Sequence, residues 1–276
     1  MNARILDGKA LALSMQQQLQ QRIAEHQSSI KRMPGLAVIL VGNNPASQFY
    51  IKNKQKACEQ VGIDSRLHHL DATSSQQTIS DLITQLNNDD AVDGILLQLP
   101  LPEHIDPDPL LYLIDPSKDI DGFHPYNLGR LLQRQPTLRP CTPYGIIQLL
   151  HHYDIPLAGK HAVIVGASNI VGRPLACELL LAKSTITVCH RFTKDLEEYV
   201  KQADILISAT GKPHILLAEW IKHGAVVVDV GFSRATNGSI CGDIDFEAAA
   251  KVASWITPVP GGVGPMTVTM LLENTW

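Results

Sequence analysis

A serine, a tyrosine and a lysine stand at positions 47, 50 and 54 in the run NPASQFYIKNKQKACEQVGI. Spacings of three and seven bring Ser47, Tyr50 and Lys54 close to one face of any helix that carries them. A hydroxyl, a phenol and an amine there could converge on a ligand and move a proton. An exposed amphipathic helix with a partly packed tyrosine is the plainer alternative. Tyrosine four residues before lysine also occurs in short-chain dehydrogenases, but there the pair follows the cofactor loop. Here it precedes the glycine loop at Gly166, so that reading fails on order.

That loop lies in VIVGASNIVGRP, where Gly166, Ser168 and Gly172 follow an apolar run and precede a helical pattern. Gly166 permits a tight turn, and a helix N-terminus offers unpaired N–H groups to a pyrophosphate. Ser168 stands where a dinucleotide fingerprint has its second glycine, and the last glycine is displaced by one, so the spacing alone is a weak signal. Some 20 residues on, an NAD site places an acid on the ribose, whereas TITVCH is followed by Arg191 and Thr193; a cation suits a 2'-phosphate, and a solvated loop arginine is the plainer alternative. Gln98 closes the strand-like DGILLQ, at the strand end where open α/β sheets bind ligands, and Asp121 precedes Gly122 in a polar loop; taken alone, the first is more often a surface amide and the second a turn aspartate. TPVPGGVGPMT, Thr257 to Thr267, lacks large side chains and suits close approach of backbone to a flat ligand, or an interdomain hinge.

The elements that must position these groups alternate. Helical composition from Gly8 to Gln27 precedes the apolar GLAVILVG. A helix from Pro45 to Val61 follows, then a strand from Ser65, a helix from Gln76 to Leu86, and a strand from Asp93. Thr142 and Pro143 suit the start of a helix to about Tyr153, and the domain boundary is placed there. The second half repeats the alternation: HAVIVG, a helix from about Ile170 to Ala182, TITVCH, a short helix, ADILISA, a helix near Trp220 and GAVVVDVG. Strands alternating with helices argue for parallel sheets covered on both faces, the second half being a doubly wound nucleotide-binding domain.

A chain of 276 residues holds about two such domains. A net charge of -4 gives no electrostatic reason to bind nucleic acid or an anionic membrane broadly, and no run is long and apolar enough to span one. The five cysteines form no C-x-x-C pair, and the histidine pairs His68-His69 and His151-His152 lack metal-ligand spacing, so reduced thiols, no metal site and a cytoplasmic setting are expected.

Taken together, NPASQFYIKNKQKACEQVGI, DGILLQLPLP, KDIDGFHPYNLGR, RPCTPYGI, VIVGASNIVGRP, CHRFT, GAVVVDVG and ITPVPGGVGPMT closely resemble the bacterial bifunctional methylenetetrahydrofolate dehydrogenase/cyclohydrolase family. They occur in family order over nearly the whole chain. The resemblance implies two α/β domains, the second a Rossmann-type NADP domain, with the substrate cleft between them. It implies a folate-binding catalytic domain over 1–141, on which the C-terminal helix 265–276 packs back, and an NADP-binding domain over 142–264. Lys54 would then be the catalytic lysine, acting with Tyr50, Gln98 and Asp121. Tyr50 would line the folate, Gln98 would bond the lysine, Asp121 would hold the pterin edge, and Ser47 would support the group. Leu99 and Pro100 would contact the substrate, and Pro260, Gly261, Gly262, Val263 and Gly264 would close over it. Gly166, Ala167, Ser168, Arg191 and Phe232 match cofactor-contacting positions, Phe232 where a smaller aliphatic is usual. The resemblance also implies NADP as cofactor, tetrahydrofolate derivatives as substrates and a homodimer. A dehydrogenase without hydrolase activity, or a non-catalytic NADP-sensing regulator, are the alternatives left open.

Overall fold

The seven residues Gly35–Val41 have no polar side chain to turn toward water, and all seven are buried. The computed structural model describes residues 2–26, 29, 32–234 and 240–276, and of 45–50 and 234 the backbone only. In chain order the strands are β1 (Arg4–Ile5), β2 (Gly35–Val41), β3 (Asp64–Leu70), β4 (Gly94–Leu97), β5 (His161–Val165), β6 (Thr185–Cys189), β7 (Ile205–Ser208), β8 (Val226–Asp229), β9 (Ser233–Arg234), β10 (Ile240–Cys241) and β11 (Trp255–Ile256). The helices are α1 (Gly8–His26), α2 (Pro45–Val61), α3 (Gln76–Asn87), α4 (Pro107–Leu113), α5 (Pro125–Leu132), α6 (Cys141–His152), α7 (Gly172–Leu181), α8 (Leu196–Val200), α9 (Phe246–Ala249) and α10 (Val263–Thr275).

These elements form two units. The first comprises Ser14–Cys141 and Val268–Trp276, the second Met1–Leu13 and Thr142–Thr267, and the division falls inside α1, α6 and α10. In the first unit the sheet order is β3-β2-β4, all parallel, with β2 central. Ile39, Ile95 and Leu97 pack there with Ile79 and Ile83 of α3 and Leu110 of α4. Ser75 starts α3 by accepting the Thr78 N–H, and Asp106, ahead of Pro107, starts α4.

The second unit holds a six-stranded parallel sheet of order β1-β11-β8-β7-β5-β6. Strands β5, β7 and β8 are almost wholly buried, as parallel strands covered on both faces must be. Residues from the two chain termini meet in it: Arg4 pairs with Trp255 and Ile5 with Ile256, which groups the first thirteen residues with this unit. Three local expectations change. Only a three-residue 3-10 turn, Ala218–Trp220, forms near Trp220, the helix after the glycine loop begins at Gly172, and α10 begins at Val263, inside the side-chain-poor run. Among the described residues no helix is long and apolar enough to cross a membrane.

Candidate active site

Helix α2 carries Lys54 half-buried, and its Nζ donates to Gln98 Oε1 at 3.2 Å. Gln98 follows β4 immediately. Its N–H bonds the Ile39 carbonyl at 2.9 Å, and its Nε2 donates to the Leu99 carbonyl at 2.7 Å. The second bond fixes which end of the amide faces the lysine. Leu99 is half-buried and Pro100 exposed beyond it.

Asp121 reaches this place because the segment before it lies along β4. Ile95 bridges Asp119 in parallel register, and its N–H bonds the Lys118 carbonyl at 2.8 Å. A Cβ on Gly94 would sit 2.4 Å from Ile120 Cγ2, so a larger residue would push this segment off the sheet. Asp119 is buried and takes N–H bonds from Phe123 and His124 and the Asn127 amide, which holds the turn that follows Asp121. From the other side the Asn274 amide donates to the Ile120 and Arg139 carbonyls at 2.8 and 2.9 Å. Burial raises the Asp121 carboxyl to about 6, with the Lys54 charge opposing the shift and Asp119 adding to it. An amine, an amide oxygen and a carboxyl that titrates near neutrality thus lie within electrostatic reach of one another. The Ser47 and Tyr50 side chains lie outside the described residues.

In the second unit the loop after β5 needs its glycines. Gly166 has φ +123°, and a Cβ there would lie 2.2 Å from the Ala209 carbonyl oxygen, while one on Gly172 would lie 1.9 Å from the Gly166 oxygen. Ser168 Oγ accepts from the Val171 N–H at 3.1 Å and orders the entry to α7. Strand β5 has β6 on one side and β7 on the other, so the sheet reverses direction here, and open α/β sheets bind ligands outside the strand ends at such a point. Arg191 is exposed after β6, its guanidinium 4.6 Å above the Phe192 ring. Phe232, exposed, follows β8. Arg173, unnamed in the sequence reading, bonds the Ala167 carbonyl through Nε at 3.2 Å and adds a second cation beside the loop. Its signal was a cation one residue after the last glycine. The tight glycine contacts, the helix terminus and the flanking cations fit a dinucleotide. Pro260, Gly261, Gly262, Val263 and Gly264 belong to this unit, where Gly261 accepts the Lys9 N–H at 2.8 Å and the space beside Gly264 is open. Among the described residues no group of three or more His, Cys, Asp or Glu could hold a metal.

Two family models match. The catalytic domain of tetrahydrofolate dehydrogenase/cyclohydrolase covers residues 6–121, and its NAD(P)-binding domain covers 140–276. The chain belongs to the tetrahydrofolate dehydrogenase/cyclohydrolase family. A relative called bifunctional protein FolD, from Legionella pneumophila, is 54% identical over 100% of this chain and 97% of its own. The crystal structure of the bifunctional enzyme from Campylobacter jejuni is 52% identical with a TM-score of 0.97, covering 99% of this chain and 97% of that one. The Trypanosoma brucei enzyme, solved with NADP and an inhibitor, is 38% identical with a TM-score of 0.95 and covers 100% and 96%. The protein is a bifunctional family member, an NADP-dependent methylenetetrahydrofolate dehydrogenase and methenyltetrahydrofolate cyclohydrolase.

Proposed function

We propose that Lys54, Gln98 and Asp121 form the reacting end of the folate site, with Leu99 and Pro100 beside it; the assignment of Ser47 and Tyr50 to the substrate rests on the family resemblance alone. Gly166, Ala167, Ser168, Arg191 and Phe232 are assigned to NADP. Substrate contact is assigned also to Pro260, Gly261, Gly262, Val263 and Gly264. The observation that carries the reading is the Lys54–Gln98 hydrogen bond beside a carboxyl raised to about 6, because it sets a proton carrier and an orienting acceptor side by side. NADP, when bound, supplies the hydride acceptor. The protein's own groups orient the pterin through Asp121, hold the amine through Gln98 and carry protons through Lys54. Oxidation leaves a delocalised cation on the one-carbon bridge. Water adds to that carbon and gives one proton to Lys54 Nζ in its uncharged form. The C–N bond to one folate nitrogen then breaks as the added hydroxyl becomes the formyl carbonyl and its proton passes to that nitrogen, and Lys54 returns its proton to solvent.

Arg191 is assigned as the reader of the 2'-phosphate, since a guanidinium can pair bidentately with it and alanine cannot. Arg191→Ala is expected to weaken NADP by roughly tenfold while NAD changes little. Equal losses for both cofactors in titrations would remove Arg191 from that role. We infer also a homodimer in the cytoplasm. The second unit exposes Leu180, Phe192, Tyr199 and Leu217, apolar surface that a second copy could cover. Sedimentation of the purified protein at twice the chain mass is the expected result, and a monomer at all concentrations would refute it.

A further inference from the structure

We propose that Asp243 is a positioning residue for the cofactor, shaping from behind the loop Ser208–Gly211 that walls the NADP site; this rests on the assignment of the glycine-loop edge to NADP. Asp243 has no exposed surface. Its Oδ2 accepts from Ser208 Oγ, Thr210 N and Thr210 Oγ1, each at 2.8 Å, and from Gly211 N at 3.3 Å. Four donors from one short loop therefore converge on a single oxygen. Oδ1 has no hydrogen-bond partner among the described residues. Taking the acid away would strand the buried Ser208 hydroxyl and leave the Thr210 and Gly211 N–H groups without this acceptor, so Asp243 fixes the course and direction of the loop through its donors.

The loop it holds sits at the sheet's reversal. The Ala209 carbonyl packs against Gly166, while beside Gly211, at φ +65°, the space is open. One side of the loop thus meets the glycine turn, and Asp243 grips it through its amides and hydroxyls. Asp243 is itself held. Asp229 at the end of β8 accepts from Gly231 N at 2.8 Å and Asp243 N at 3.0 Å through Oδ1, and from Ile244 N at 2.9 Å through Oδ2. Each acid needs the other segment's glycine: a Cβ on Gly231 would lie 2.2 Å from Asp243 Oδ1, and one on Gly242 would lie 2.1 Å from Asp229 Oδ2. The D-x-G at 229–231 and the G-D at 242–243 thus lock three segments at the strand ends, with Thr210 and Gly211 the last link toward the cofactor.

The test uses the full-length enzyme and separates cofactor from folate chemistry, because methenyltetrahydrofolate can be supplied directly and hydrolysed without NADP. Asp243→Ala is expected to raise the NADP Kd by calorimetry, and the NADP KM, by roughly tenfold or more, from the loss of several bonds to a charged group. Cofactor-free hydrolysis and the KM for methylenetetrahydrofolate should stay within about threefold of wild type. Asp243→Asn, which keeps an acceptor oxygen for the same donors, should recover most of the affinity. Should Asp243→Ala fail to fold, Ser208→Ala removes one donor with little change of volume and is expected to weaken NADP while sparing cofactor-free hydrolysis. NADP binding unchanged in these variants, or hydrolysis lost in parallel with it, overturns the proposal. A wild type that does not bind NADP overturns the cofactor assignment and this proposal with it.

Discussion

Lys54→Met is expected to lower methenyltetrahydrofolate hydrolysis by roughly 10²- to 10⁴-fold, the range that a positioned proton carrier contributes. Methionine keeps most of the apolar stem that lies half-buried on α2 and removes only the amine that bonds Gln98 Oε1. The fold and the NADP loops in the second unit should therefore be untouched. Dehydrogenation needs two rings held face to face more than it needs a proton moved, so part of it should survive. The deciding measurement is hydrolysis by the purified, folded variant with methenyltetrahydrofolate supplied directly, and with substrate and NADP binding measured separately. Hydrolysis within a few fold of wild type would leave Lys54 at most a positioning role.

Asp121→Ala should raise the folate KM by roughly a hundredfold in both reactions, since a carboxylate accepts two parallel, charge-assisted bonds from an aminopyrimidinone edge and alanine accepts none. The NADP Kd should not change. The pH dependence tests the same group. Its folded carboxyl is raised to about 6, and only the ionised form can accept both bonds, so the wild-type folate KM should fall as pH rises through that value. The variant should lack this step. The stability sign runs the other way: a carboxyl whose pKa is raised by folding favours the folded state most below its unfolded pKa, and that contribution is lost as pH climbs through about 6. Ionised Asp121 thus costs the folded protein on the order of 3 kcal/mol at neutral pH, and Asp121→Ala should melt no lower than wild type there. Weak folate binding in a variant of undiminished melting temperature would separate lost recognition from misfolding. Unchanged folate binding would sink the assignment.

Much of the fold was legible in one dimension because parallel strands bury both faces and leave continuous apolar runs. GLAVILV, HAVIV, ILIS and VVVD could hardly be anything else, and glycine or proline punctuates the helices between them. The glycine spacing by itself was a weak signal, and its place after the first strand of the second alternating half is what marked it; the fold adds the reason, since Gly166 and Gly172 leave no room for a Cβ. Where the expectation failed, local composition had no tertiary partner to consult. The residues around Trp220 carry helical composition, but only a single 3-10 turn forms there. Edge strand β1 has two residues and no periodicity, and it exists because β11, from the far end of the chain, offers it a register.

For the site the division is sharper. Residue type and order offered an amine at Lys54, an amide at Gln98 at a strand end, a carboxylate at Asp121 and a cation at Arg191 as candidates, and the family resemblance joined them into a site. The sequence could not say that the Gln98 oxygen faces the lysine, because the Leu99 carbonyl decides it, nor that Asp121 titrates near 6, because neighbours distant in the chain surround it. Asp229 and Asp243 stand 14 residues apart, and only the fold closes them on each other and on Thr210. The buried strands and most helices follow from short-range sterics and hydrophobic periodicity, which the sequence by itself determines, whereas β1 and the turn at Ala218–Trp220 do not. Protonation, amide orientation and the grip of one loop on another depend on desolvation and on hydrogen bonds between segments far apart in the chain, and only the tertiary structure decides those.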